Sequence, residues 1–272
     1  LVILAALQAT SNDYSMRRRQ IVTLAHFSLL EAWRTRLPWL FAVALALVFA
    51  AAGFIQQLAI TDSTRMLIDF SAAATRLIAV FVLSLHILTS MVRELDDKGL
   101  ELTLSFDLRR CDYIFGRLLG FALIALVIAL LAALPQLILA PLPAALQWGL
   151  SLALELVMMA ALSLFSIVTF TRLMPAATFV GGFYLFARSL SAIRLISDAP
   201  IAGGDTPSHQ FIARLIDALA LLVPALDRYT QSAWLVDGAP GWSLLGGCAA
   251  QAVLYTALLG AAAMFDFYRR NL

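Results

Sequence analysis

Six long, mostly apolar runs recur along the whole chain, at about residues 37–59, 70–92, 114–140, 148–170, 176–196 and 242–265. A helix needs roughly 20 such residues to cross the hydrocarbon of a bilayer, and in lipid its backbone must satisfy itself within the segment. One run would be an anchor on a soluble domain; six leave no room for one. Only 13% of the 272 residues are charged, against about 25% in soluble domains, and the mean hydropathy is +0.89. Strand-like alternation in blocks of about ten residues, the signature of a membrane barrel, is absent. The sequence therefore predicts an all-α integral membrane protein with six transmembrane helices.

The segments between the runs complete the outline. Met16 followed by Arg17, Arg18 and Arg19 reads as a natural start, with residues 1–15 an upstream or appended segment and 16–272 a single transmembrane domain. Residues 20–36 read as an amphipathic helix at the membrane interface, with Ile21, Leu24, Ala25, Leu29, Ala32 and Trp33 near one face and Thr23, His26, Glu31 and Arg34 opposite. A tight turn is expected from Thr171 to Pro175. A long segment, 197–240, precedes the last run; its apolar stretch 211–223 is broken by Pro224.

Lysines and arginines orient the bundle, because cytoplasmic loops collect them. With the N-terminus inside, 13 of the 19 lie on the cytoplasmic side, and an even number of spans brings both termini there. A multi-pass location in a cell membrane, both termini cytoplasmic, is expected.

Several activities are excluded or disfavoured. A nucleotide-binding P-loop needs a Gly-Lys-Ser/Thr end, and the single lysine, Lys98, is followed by Gly99. Any ATP chemistry belongs to another subunit. No catalytic residue, metal ligand set or cofactor motif is recognised on this chain: the spans hold no paired catalytic groups, and His26, His86 and His209 lack ligand spacing. Cys111 and Cys248 are not expected to pair. Gly181-Gly182 and Gly246-Gly247 are expected to permit close helix approach.

The most informative stretch is Arg93–Gly120. After Glu94, Asp96 and Asp97 come Gly99, then Leu100, Leu102, Leu104 and Phe106 interleaved with Glu101, Thr103 and Ser105. Four large apolar side chains in a connector between spans call for burial by lipid, bundle or partner. Asp107 is suited to cap the next helix.

This stretch resembles the coupling segment between the second and third spans of type-2 ABC exporter permeases. Glu94, Gly99, Leu100, Glu101, Leu102, Leu104, Ser105 and Arg110 match positions of the family pattern, and Arg117-Leu118-Leu119-Gly120 its continuation; Asp107 and Arg109 depart from it. Leu222–Gly238 resembles the loop before the last span in permeases of the nitrous-oxide-reductase maturation type. The resemblance implies a coupling helix, including Phe106, docked on a separate ABC ATPase that carries ATP and Mg. It also implies a second copy or a homologous permease as partner, in contact with membrane lipid and no nucleic acid. Substrate export is the implied function; mechanical action on a periplasmic partner without transport is the alternative. A secondary transporter or an intramembrane enzyme fits less well.

Arg76, Glu155 and Arg188 are charges inside the runs, each costly in lipid unless paired or facing a cavity. Counted at roughly 1.5 Å per residue, all three lie at one depth below the outer surface. They are expected to form a polar layer, either lining a path or fixing helix packing.

Overall fold

The computed structural model describes residues 19–58, 62–96, 110–197 and 223–269. Among them the chain is helical, without a strand. The helices are α1 (19–34), α2 (Leu37–Leu58), α3 (Ser63–Asp96), α4 (Arg110–Leu139), α5 (Leu142–Phe170), α6 (Leu173–Ser197), α7 (Ala233–Asp237) and α8 (Trp242–Arg269), with a 3₁₀ turn at Leu226–Arg228. Six of these, α2 to α6 and α8, are long and apolar enough to cross a membrane. Large apolar side chains such as Leu47, Phe54, Leu130, Ile138 and Val253 stay exposed on their outward faces, as a lipid-facing surface requires.

Helix α5 is the centre of the bundle. In its most apolar stretch 78% of residues are buried, against 17% in that of α8. It packs on α3, α4, α6, α7 and α8, while α2 lies on α3 and α4 at the side. Five of the six spans, all but α2, run longer than the apolar runs. Helix α3 has 34 residues, about 50 Å at 1.5 Å per residue, so it projects beyond a hydrocarbon core of about 30 Å. The expected turn from Thr171 to Pro175 is shorter. Thr171 ends α5 in the left-handed region, donating its N–H to Ile167 O at 2.9 Å, and α6 starts at Leu173. Pro175 sits in the first turn of α6, where backbone N–H groups have no helical acceptor to lose.

Helix α1 departs from the expected facing. Ala25, Ser28 and Ala32 are buried and Leu24 and Leu29 pack on the core, but Trp33 is 70% exposed and Glu31 turns inward. The reason lies in α4. Gly116 and Gly120, one helical turn apart, let the two backbones meet: a Cβ at Gly120 would stand 2.7 Å from the Ser28 Cβ and 3.1 Å from the Ala25 Cα. Close approach here outranks the apolar periodicity of α1. The glycine pairs expected to do this have no such contact among the described residues: nothing lies within 4 Å of a Cβ at Gly182, Gly246 or Gly247, and only Phe81 lies near Gly181, at 3.6 Å.

Two substitutions therefore have opposite signs. Gly120→Ala overpacks a backbone contact, which typically costs 1–3 kcal/mol and outweighs the gain of up to about 1 kcal/mol in helix propensity. Gly246→Ala takes only the gain. Thermal unfolding of detergent-purified protein is expected to show a lowered midpoint for the first and a slightly raised one for the second.

Candidate functional site

Two buried polar nodes hold the bundle, one at each end. The first lies at the end away from the α3–α4 connector and is built around a single turn of chain, Leu226–Thr230. Pro224 carries no backbone N–H, and after it the chain turns at Leu226–Arg228 and runs against the spans. Thr230 sits at φ 46°, a region a β-branched residue rarely occupies. Its hydrogen bonds hold it there. The Thr230 N–H donates to Ser151 Oγ at 3.1 Å, its hydroxyl donates to Glu155 Oε2 at 2.5 Å, and its carbonyl accepts from Arg76 Nη1 at 2.9 Å.

Arg188 completes this node. Its Nη1 lies 3.4 Å from Glu155 Oε1 and donates to the carbonyls of Leu226, at 2.7 Å, and Tyr229, at 3.3 Å. The Tyr229 hydroxyl donates to Cys248 O at 2.7 Å and reaches Gln251 Oε1 at 3.3 Å. Burial pushes the Tyr229 phenol above its ordinary value, so it remains a donor at physiological pH. One turn of chain is thus tied to α3, α5, α6 and α8. The three charges read from the sequence do converge, and their arrangement is specific: Glu155 pairs with Arg188, whereas Arg76 serves the backbone of Thr230. Ser151, Tyr229 and Thr230 are the members that sequence reasoning missed.

The second node lies where α3 and α4 meet the connector. Arg117, 2% exposed, is ion-paired to Glu94 at the end of α3 and lies 3.5 Å from Glu31 Oε2 of α1. It donates to Ser28 Oγ at 2.9 Å, and its guanidinium stands over the rings of Phe27 and Phe121 at 5.9 and 5.7 Å. Ser90 donates to the other Glu31 oxygen at 2.7 Å. A single guanidinium, with donors in a fixed fork, therefore joins α1, α3 and α4. Glu94 belongs to this node. Gly99, Leu100, Glu101, Leu102, Leu104, Ser105 and Phe106 lie outside the described residues, as do residues 1–15 and 198–222.

Both cysteines are free. Among the described residues, no group of three or more His, Cys, Asp or Glu side chains is placed to hold a metal ion. Fold and composition together define a multi-pass helical membrane protein. No protein-family model and no curated protein matches the chain.

Proposed function

We propose that the chain is the transmembrane permease subunit of a type-2 ABC exporter, coupling ATP hydrolysis on a separate subunit to export across a bacterial inner membrane. In this reading both termini and the 94–106 connector are cytoplasmic, α1 lies at the membrane interface, and a second copy or a homologous permease completes the unit. The observation that carries the reading is the Arg117 node. A docking segment must pass displacement into the bundle, and here both flanks of the connector, Glu94 and Arg117, are joined to each other and to Glu31. A push on the connector then moves α1, α3 and α4 together. The sequence resemblance of residues 93–120 supports the same reading.

A second reading rests on the other node. The Leu226–Thr230 turn is bound by charged side chains on three spans, Arg76, Glu155 and Arg188, so movement of the bundle would be delivered directly to the segment before α8. The dimer would then work mechanically on a periplasmic partner, with nothing crossing the membrane. An ATP-dependent change in label access at Gln231, without transfer of any substrate into sealed vesicles, would favour this second reading.

The test of the first reading is Leu104→Asp. A charge placed in a desolvated docking groove costs several kcal/mol, while insertion of the spans is untouched. The expected protein is normally expressed and membrane-embedded but fails to retain a partner ATPase or to stimulate it. Ser208→Asp, in the long segment before α8, is expected to behave as wild type. ATP hydrolysis by the purified chain alone, or a Leu104→Asp variant that binds and stimulates its ATPase normally, would overturn the reading.

A further inference from the structure

Four side chains at the end away from the connector carry hydrogen-bonding groups that nothing among the described residues answers. Gln136, Trp148 and Thr75 are 0% exposed and Gln147 is 4% exposed. Both amide atoms of Gln136, the Gln147 Oε1, the Trp148 Nε1 and the Thr75 hydroxyl have no hydrogen-bond partner. Arg76 Nε, on the next residue of α3, has none either. A buried group left so forfeits the whole cost of leaving water, and native interiors leave few of them.

The groups lie close together. The α4–α5 hairpin sets Ala133 against Gly149, where an added Cβ would stand 2.8 Å from the Ala133 Cβ. One turn nearer the hairpin, Gln136 therefore comes level with the turn of α5 that holds Gln147 and Trp148. It continues the buried stripe of Ala125, Ala129 and Ala132 on α4. Thr75 and Arg76 enter from α3. The Thr230 backbone that accepts from Arg76 also donates to Ser151, one turn along α5 from Gln147. The cluster thus fills about two turns of α3, α4 and α5, three helices that pack on one another.

The mix of groups selects the ligand. The Gln136 Nε2 and Trp148 Nε1 only donate, the Gln136 and Gln147 oxygens only accept, and the Thr75 hydroxyl does either. An anion would meet two amide oxygens; a cation would meet two N–H groups with Arg76 behind them. A small neutral molecule that both donates and accepts fits all of them. Water does so, and it needs only two to four polar partners and the room of about one probe sphere.

We propose that this cluster binds ordered water between α3, α4 and α5, bridging the Gln136 amide to Trp148, Gln147 and Thr75 and reaching Arg76 Nε at the edge of the ionic node. The node that holds the Leu226–Thr230 turn is then wetted from the side of the α4–α5 hairpin. The site requires neither an ATPase nor a second copy, so it stands or falls apart from the permease reading.

The experiment is X-ray radiolytic footprinting of the full chain in detergent, with the oxidation of each residue read by mass spectrometry. The radicals form from water itself, so a side chain beside bound water is oxidised although bulk solvent does not reach it. After correction for intrinsic reactivity, Trp148 is expected to be oxidised severalfold faster than Phe41, which is equally buried. Gln136→Leu is expected to bring Trp148 down to the Phe41 rate. Ile138→Ala, on the exposed face of α4, is expected to leave it unchanged. Thr75→Val keeps the shape of its side chain and is expected to lower the rate part of the way, which carries the test where Gln136→Leu does not fold. Stability gives a second measurement. In a dry cluster Gln136→Leu removes two orphaned groups and raises the unfolding midpoint; with water bound it strands the remaining partners and lowers the midpoint. Protection of Trp148 to the Phe41 level in wild type, a Trp148 rate untouched in the folded variants, or a raised midpoint for Gln136→Leu would each overturn the site.

Discussion

Arg117→Met is expected to cost the fold about 3–5 kcal/mol, the penalty for removing one partner of a buried ion pair. Methionine keeps the apolar stem of the side chain, so the loss is chiefly one of charge and hydrogen bonds. Glu94 and Glu31 would then face each other without the guanidinium that lies between them, and Ser28 would lose its donor. The unfolding midpoint of the purified protein is expected to fall by roughly 10 °C, at 2–4 °C per kcal/mol for chains of this order. Adding Glu94→Gln and Glu31→Gln to Arg117→Met is expected to recover much of the loss, because the uncompensated carboxylates are then gone. A single variant that loses less than about 1 kcal/mol, or a triple variant worse than the sum of its parts, would contradict a charge-held node. The same variants separate stability from coupling. If the node transmits movement from the connector, the triple variant should fold well and still respond poorly to an attached ATPase.

What could be read from the sequence divides along a physical line. The six spans were legible because a run of apolar residues long enough for a bilayer has few other uses. Their true ends were not, since α3 and α4 extend through charged residues such as Glu94 and Arg110 that hydropathy excludes. The convergence of Arg76, Glu155 and Arg188 followed from counting depth along straight helices. Depth does not give azimuth, so it left open which arginine faces Glu155. The chain turn that completes the node came from beyond the spans, and nothing in Tyr229-Thr230 marks a segment that inserts between helices. Glu31 misled for a different reason. Amphipathic reading sends every polar residue outward, whereas here close packing on Gly116 and Gly120 turns Glu31 toward Arg117. The Gly116–Gly120 spacing, four residues apart on α4, was the signal that would have shown this face.

The two nodes also assign different work to similar chemistry. At the connector end a buried arginine joins three helices through carboxylates on two of them, side chain to side chain. At the opposite end two arginines hold backbone carbonyls, and the carboxylate holds a threonine hydroxyl. Side-chain pairs can exchange partners as helices slide. Carbonyls of a tight turn cannot move apart, so that node holds the turn as one rigid piece against α3, α5 and α6.

A double-mutant cycle on Glu155 follows from that geometry. Glu155→Gln is expected to cost about 3 kcal/mol, the lower end for a broken buried pair, because Arg188 keeps its carbonyl acceptors and is 20% exposed on its side chain. Arg188→Gln removes the same pair from the other side. Residues in direct contact show interaction energies of 0.5–3 kcal/mol, so the double variant is expected to be less damaged than the sum by at least about 1 kcal/mol. Arg76 answers to the Thr230 carbonyl rather than to Glu155. Its cycle with Glu155 is therefore expected to return a smaller coupling, carried only through Thr230. Thr230→Val keeps the shape and deletes the hydroxyl, and should abolish most of that indirect coupling while leaving the Glu155–Arg188 coupling in place. Unfolding midpoints of the single and double variants, each with and without Thr230→Val, in one detergent decide the matter. Strict additivity for Glu155 and Arg188, or a larger coupling of Glu155 to Arg76 than to Arg188, would show that the buried carboxylate is held differently in the working protein.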